Sequence, residues 1–590
     1  MILLPKPEKE FINTKKKWKP EKSLEKELLN VHFGEKQFKY IKIKKTNLRE
    51  QSYRLSAGKN FVVIYSGGKK GTWNALMTLR QIMRQKDTEG YLPEIEIEDS
   101  PAFPNRGVML DISRNRVPSI SVLKELIVLF SELKFNQLQL YTEHTFAYKG
   151  HEKVWSNASP YTGEEIEEID SYCAGKGIEL IPNQNSFGHM ERWLRWPEYH
   201  NIAEAPEGYE DPWGVYREYS STLDPSSPDS LNFLKDLYDQ LLVHFKSRNF
   251  NIGGDETYDL GTGKSRELCE EKGKGKVYVD FLNKIIREVK KRDYTPQFWA
   301  DIILNYPELL KELPKDVTVM NWGYEDDHPF REETKAIADA GFEFYVCPGT
   351  SSWNSIAGRW NNALENIRNA AEHGLENGAS GLLITDWGDN GYKQQYVVSV
   401  PGWFAAAAAA WNGPEGIKEN IEEALQVHFF KSPGESHASL LLKLGNIYLE
   451  NPVKLHNMSF IMLPLIDHEY PYYREQYIEI KKAGMGKAAE TAAAVQKEIS
   501  ETVTSTDSIW LNQLYFTSVL TEFAVDLSEA FYNSEDFSIE NIPENKRIEL
   551  SGRLKKIMDE FRRLWLSYCR EGGLEESIES FKGLYELLSL

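Results

Sequence analysis

The chain has 590 residues, too many for a single hydrophobic core, so roughly two to four domains are expected. A formal charge of −19 argues against nucleic acid or an anionic membrane surface as the main partner, and no apolar run is long enough to cross a bilayer. Cys173, Cys269, Cys347 and Cys569 lie far apart without a CxxC pair, which points to neither a zinc site nor a disulfide framework.

Met1-Ile2-Leu3-Leu4 runs straight into Pro5-Lys6-Pro7, too short for the apolar core of a signal peptide, so a cytoplasmic location is expected. The basic stretch Lys15-Lys16-Lys17-Trp18-Lys19 reads as a solvated face. Alternation over residues 38–43 and 60–64 predicts strands, and Trp73, Leu76, Leu79, Ile82 and Met83 recur at helical spacing. Residues 1–100 therefore form a small N-terminal α/β domain. The Pro-rich Pro101-Ala102-Phe103-Pro104 closes it.

Over residues 101–415 short apolar strands alternate with amphipathic helices. Strands are predicted at 107–112, 137–141, 178–181, 250–253, 297–299, 317–320, 342–346 and 381–384, with helices at 121–133, 164–173, 230–245 and 277–289. Eight β/α repeats of this length predict a closed (β/α)8 TIM barrel. Its last helix holds Trp403-Phe404 and the alanine run from Ala405 to Ala410, which favours helix and close packing on the barrel wall. From 416 to 590 helical periodicity dominates, predicting a C-terminal helical domain without an evident catalytic motif.

In such a barrel the residues just after each strand face one pocket. Here they are Arg114; Glu143 and His144; Asn185 and His189; Asp255 and Glu256; Trp299 and Asp301; Trp322; Trp353; Trp387 and Asp389. Carboxylates, an arginine and tryptophans together suit a sugar: proton transfer, hydroxyl recognition and aromatic walls. Asn251-Ile252-Gly253-Gly254-Asp255-Glu256 is the strongest local signal, because two glycines permit a tight turn that brings adjacent carboxylates into one pocket. Paired carboxylates serve glycosidic cleavage when one donates a proton and the other stays ionised.

This motif resembles the His-x-Gly-Gly-Asp-Glu pattern of family 20 glycoside hydrolases, the β-N-acetylhexosaminidases. Arg106-Gly107-Val108-Met109-Leu110-Asp111-Ile112-Ser113-Arg114 resembles that family's first barrel strand, and Trp387-Gly388-Asp389 is similar to its Trp-x-Glu on the eighth. Ser52-Tyr53-Arg54-Leu55 and the segment from Trp73 to Gln81 resemble the small domain that precedes the barrel. The resemblance implies removal of terminal, non-reducing GlcNAc or GalNAc from glycans by substrate-assisted retention, without cofactor or metal. Glu256 is then the acid and base. Asp255 orients the 2-acetamido group, whose carbonyl oxygen attacks the anomeric carbon.

By the same resemblance Arg114 holds ring hydroxyls, with a structural ion pair to Asp111 as its alternative role. Trp299, Trp322 and Trp387 wall the acetamido pocket, and His189, in Phe187-Gly188-His189, tunes the acid or is simply a hydrogen-bonded structural histidine. Several positions depart from the family pattern. Asn251 replaces its usual His, Trp353 falls where Tyr is common and offers an indole N–H instead, and Asp389 replaces the commoner Glu. Glu143-His144 stands in for an acidic stretch.

Gly261-Thr262-Gly263-Lys264-Ser265 mimics a phosphate loop, but Tyr258 occupies the position of its first glycine. Two other readings of the cluster stay open: a metal-dependent barrel hydrolase with Asp255, Glu256 and His189 as ligands, and a silent glycan-binding protein.

Overall fold

The computed structural model describes residues 1–590 except 36, 60, 433, 467–472 and 504–507. The N-terminal sheet runs β1 (Lys9–Trp18), β5 (Leu92–Asp99), β3 (Tyr53–Gly58), β4 (Phe61–Ser66), β2 (Lys42–Lys45), and is antiparallel except for the β2–β4 pair. Helix Lys69–Met83 lies against it and buries Trp73, Leu76, Leu79 and Ile82 as the spacing predicts. The strand expected at 38–43 starts only at Lys42, because the Glu27 carboxylate takes the backbone N–H groups of Lys39 and Tyr40 that a ladder would need. Asn60, at the start of the second expected strand, lies outside the described residues. Lys15, Lys16 and Lys17 are exposed on β1.

The barrel strands are β6 (Asn105–Asp111), β7 (Gln137–Tyr141), β8 (Glu179–Ile181), β11 (Asn249–Asn251), β12 (Thr295–Trp299), β13 (Thr318–Trp322), β14 (Glu343–Cys347) and β15 (Gly381–Asp386). All pairings are parallel, in the order β11-β12-β13-β14-β15-β6-β7-β8. A parallel bridge between Asn183 and Asn251 closes the ring, with the N–H of Asn251 donating to the Pro182 carbonyl at 2.9 Å. Between β8 and β11 the chain carries a short hairpin, β9 (Tyr209–Glu210) and β10 (Tyr216–Arg217).

Side-chain alternation separates two apolar layers. Val108, Leu110, Leu138 and Phe298 face the surrounding helices, while Met109, Tyr141, Trp299, Met320 and Leu383 fill the barrel interior. The interior also holds an amide network: Gln139 accepts from Asn183 and Asn251, each at 3.0 Å, and donates to Gln297 at 2.9 Å. The last barrel helix, Tyr396–Asn412, is buried along nearly its whole length, and its alanines let it approach the wall closely.

Asp99 couples the N-terminal domain to the barrel, accepting hydrogen bonds from Tyr53, Lys134 and Trp411 at 2.7–2.9 Å. The C-terminal region is helical among the described residues, and it reaches the end of the barrel at which the strands terminate. Tyr568 accepts from the N–H of Ser119, and Glu576 accepts from Arg192 at 2.8 Å. Arg116 lies 3.5 Å and 3.8 Å from the ring centres of Tyr392 and Tyr396, with Tyr568 beside them. The helical domain thus braces the loops after β6 and β15.

Candidate active site

After β11 the backbone turns sharply, with positive φ at Gly253 (69°), Gly254 (94°) and Glu256 (48°). A Cβ on Gly253 would lie 1.9 Å from Oδ1 of Asn185, so no other residue fits there. Oδ1 of Asn251 accepts the Gly253 N–H at 3.0 Å, and Tyr278 donates to the Gly254 carbonyl at 2.8 Å. The Glu256 N–H donates to Oδ2 of Asp301 at 3.0 Å. These contacts hold a left-handed, non-glycine residue whose strain is of order 1–3 kcal/mol. As a result, neighbours in sequence bring both carboxylates to one site. Asn251, in the position of the family's usual His, serves the interior amide network and this turn.

His189 arrives from the loop after β8, also at positive φ (56°), and Gly188 lets that loop cross Asp255, since a Cβ there would sit 2.1 Å from the Asp255 carbonyl oxygen. Nε2 of His189 lies 3.1 Å from Oδ2 of Asp255 and 3.3 Å from Oε2 of Glu256, and Nδ1 is 3.8 Å from Oε1 of Glu143. Ionised carboxylates only accept hydrogen bonds, so Nε2 carries a proton. Burial pulls the imidazole pKa down, but the Asp255 charge and the hydrogen bonds to Asp255 and Glu256 outweigh it and hold the value well above the ordinary one. Glu256 answers in reverse: burial pushes its carboxyl up, and the His189 hydrogen bond and charge bring it below the usual range. Among the described residues no group of three or more His, Cys, Asp or Glu side chains is placed to hold a metal ion.

On the opposite side Nη1 of Arg114 stands 3.4 Å from both Oδ2 of Asp111 and Oε1 of Glu143. Its guanidinium covers the rings of Tyr141 and Trp387, at 4.7 and 5.1 Å from their centres. The ion pair with Asp111 and the place beside the pocket are therefore both real. Asp111 is tied down by the N–H groups of Ser113, Arg114 and Gly388. Burial pushes Glu143 up, but Arg114 and then His189 hold it below the usual carboxylate range. Burial drives Asp389 up to about 6 despite the opposing charge of Arg114.

Trp299 and Trp387 lie with ring centres 6.4 Å apart, and Trp387 donates its indole N–H to the Tyr324 hydroxyl at 2.7 Å. Tyr324 stacks on Trp322 (5.0 Å, 21°) and meets Trp353 edge-on at 5.1 Å. Trp353 itself is buried, and its N–H reaches neither solvent nor a partner. The hydroxyl at this wall belongs to Tyr324, which the sequence reading overlooked although it follows Trp322 by two residues. Tyr141, which donates to Glu143 at 3.0 Å and accepts from Asn185, and Tyr258, whose hydroxyl lies close enough to the Glu256 carboxylate to help lower its pKa, were overlooked likewise.

Asp301 joins the cluster through Glu256, and burial with the neighbouring Asp255 charge pushes its carboxyl up. His144 is buried near Arg192, and its pKa falls to about 3 through desolvation and that charge, against the opposing pull of Glu143. The phosphate-loop mimic has an internal occupant. Glu204 accepts the N–H groups of Gly261, Gly263 and Ser265 at 3.0–3.2 Å, filling an anion cradle with a carboxylate of the same chain. A separate cavity of about 880 Å³ between the N-terminal domain, the first barrel helix and the C-terminal region shares none of these residues.

Comparison with known proteins gives the family and the fold. Residues 103–372 match the model of the glycosyl hydrolase family 20 catalytic domain, and residues 9–100 match that of family 20 domain 2. Human hexosaminidase D is 26% identical over 444 residues, covering 68% of this chain and 88% of its own. A β-hexosaminidase of Akkermansia muciniphila is 28% identical over 282 residues, covering 43% of this chain and only 56% of its own. In fold the chain is similar to the β-N-acetylhexosaminidase of Bacteroides fragilis (TM-score 0.59, 18% identity, 74% of this chain and 96% of that one). It is also similar to the chitobiase of Flavobacterium johnsoniae (TM-score 0.57, 19% identity, 95% and 96%), so that likeness extends through the C-terminal region.

Proposed function

The chain belongs to glycosyl hydrolase family 20, and on that premise we propose that it is an exo-β-N-acetylhexosaminidase working by substrate-assisted retention. The observation that carries this reading is the grouping of Asp255 and Glu256, after β11, with protonated His189, after β8, through contacts of 3.1 and 3.3 Å. Arg114, Glu143 and Asp389 bind the hydroxyls of the terminal sugar, and Trp299, Trp322, Trp387 and Tyr324 enclose its acetamido group, with Trp353 packed behind Tyr324.

With His189 against both carboxylates, the proton sits on His189 and Glu256 is ionised. To reach a glycosidic oxygen, Glu256 must leave His189, and this removes the interaction that depresses its pKa. Burial and the charge of Asp255 then favour the protonated acid. Glu256 gives its proton to the leaving oxygen while the acetamido carbonyl oxygen bonds to the anomeric carbon and the glycosidic bond breaks. Asp255 accepts the acetamido N–H and balances the positive charge of the oxazolinium ring. Water then opens the ring, losing a proton to Glu256, and the sugar departs with its anomeric configuration retained.

Kinetics on nitrophenyl glycosides test the reading. GlcNAc and GalNAc substrates are both expected to turn over, with kcat/KM within about 100-fold of one another, because the short Asp389 grips the C4 and C6 hydroxyls loosely. The glucoside should be nearly inert. Glucoside turnover comparable to that of the N-acetyl sugars would refute the mechanism, and turnover of none would refute the activity.

A further inference from the structure

Asp389 is positioned by its backbone. Among the described residues its carboxylate has no hydrogen-bond partner, so where it stands is decided by the turn that carries it. In that turn Asn390, Gly391 and Tyr392 take positive φ in succession, at 57°, 79° and 53°, and two of the three carry a Cβ. The N–H groups of Gly391 and Tyr392 both donate to the Gly388 carbonyl at 3.0 Å, and the Gly388 N–H donates to the Asp111 carboxylate. Left-handed residues occur mostly singly, so a run of them needs contacts from outside to hold it.

Three contacts supply this. The Tyr392 hydroxyl donates to the Asp111 carbonyl at 2.6 Å, and the Asn390 side chain donates to Oδ1 of Asn354 at 2.9 Å. Nζ of Lys393 donates to the Asn390 carbonyl at 3.0 Å and to the Ser577 carbonyl at 2.5 Å. Ser577 lies near the start of the helix Leu574–Ser589, outside the barrel, and a Cβ on Gly391 would come within 3.2 Å of its Cα. Lys393 is a costly residue for this place. It is 2% exposed, and among the described residues no carboxylate forms an ion pair with it. The Phe581 ring, 5.2 Å from Nζ, offsets only part of the cost of burying an ammonium, a cost that methionine would not carry. What lysine adds here is the bridge between the Asp389 turn and the helix.

Resting on the reading of Asp389 as a holder of sugar hydroxyls, we propose that Lys393 is a positioning residue: by tying the Asn390 carbonyl to the Ser577 carbonyl, it fixes where Asp389 stands. Asp389 directly precedes Asn390, so any relaxation of the left-handed run moves its carboxylate. A helix outside the barrel thereby sets how strongly the site distinguishes a terminal sugar that carries its C4 and C6 hydroxyls from one that lacks them.

The test uses nitrophenyl GlcNAc and its 4-deoxy and 6-deoxy analogues. In the wild type, loss of a hydroxyl that Asp389 holds should lower kcat/KM by roughly 10-fold or more. Lys393→Met should shrink that ratio to within about 3-fold by slowing the GlcNAc substrate, while the deoxy analogue keeps its wild-type value and Tm does not fall. Gly391→Ala, which drives the turn off Ser577, should shrink the ratio likewise and decides the matter independently if Lys393→Met folds poorly. Adding Lys393→Met to Asp389→Ala should change the ratio no further, because both act through one carboxylate. A ratio unchanged by Lys393→Met, equal losses on all three substrates, or effects of Lys393 and Asp389 that add in full overturn the proposal. If Asp389→Ala alone left the ratio unchanged, the hydroxyl role of Asp389 would fail and the positioning with it, leaving the roles of Asp255 and Glu256 untouched. If the wild type hydrolysed none of the three, the hydrolase reading would fail on its own, and calorimetry with GlcNAc and its deoxy analogues on the same variants would still decide the positioning.

Discussion

Replacing His189 with Asn should move the alkaline limb of kcat/KM upward by about one pH unit while lowering the plateau. Nε2 of His189 is 3.3 Å from Oε2 of Glu256. Two unit charges at that separation attract by about 5 kcal/mol at an effective dielectric of 20, which is an upper bound here. The Glu256 side chain is 31% exposed, and solvent screening reduces the figure to roughly 1–2 kcal/mol. At ~1.4 kcal/mol per pKa unit this amounts to about one unit. The sign follows from the charge: His189 favours ionised Glu256, so its loss favours the protonated acid, and Glu256 stays protonated to higher pH. The assay is a pH profile of kcat/KM for a GlcNAc glycoside with a poor leaving group, wild type against His189→Asn. Because kcat reports the complex, in which Glu256 has left His189, the kcat limb should move less than the kcat/KM limb. A kcat/KM limb that stays put or moves downward while activity falls would show that His189 is purely structural.

Glu256→Gln should cut turnover of poor leaving groups by about 10²–10⁴-fold and of nitrophenyl substrates far less, and equal losses measured on both would count against its role as the acid. With Asp389 at about 6, kcat/KM should fall on the acid side as its carboxylate protonates through that pH, and Asp389→Asn should abolish this limb. An acid whose folded pKa is raised stabilises the fold below its unfolded value and loses that contribution as pH climbs through the folded one. The gain in Tm on Asp389→Asn should therefore be larger at pH 8 than at pH 4, and a gain independent of pH would contradict the assignment. Gly253→Ala places a Cβ 1.9 Å from Asn185 at a φ of 69°, so thermal midpoint and kcat should drop together, and wild-type values for both would show that the turn tolerates a side chain.

The barrel was legible because each strand is a short apolar run between clear helical periods, and all eight strands fall where the pattern puts them. Legibility failed where a side chain took over a backbone group's hydrogen bond, as Glu27 does at Lys39 and Tyr40, or where a strand was solvated on most of its length, as β1 is. In the pocket, the strand-end carboxylates, Arg114 and His189 converge because (β/α)8 geometry aims every such position at one place. Tyr141, Tyr258 and Tyr324 were hidden, since a tyrosine near a strand end gives no sign of which hydroxyl it will meet. The hairpin between β8 and β11 was missed because its strands are two residues long, and the cradle for Glu204 because a nest of N–H groups looks the same whether phosphate or carboxylate fills it. Trp353 had the right place in sequence but was turned into the core, where Tyr324 covers it.

The central claim is that the substrate's own acetamido oxygen is the nucleophile. Its most direct test is a series of nitrophenyl GlcNAc substrates whose acetamido methyl carries none, one, two or three fluorines, each withdrawing electrons from the carbonyl oxygen without altering the leaving group. kcat/KM should fall steadily with each fluorine, by roughly 100-fold or more across the series, because the bond to the anomeric carbon forms from a weakening nucleophile. Values that stay level across the series would mean that the acetamido group does not participate.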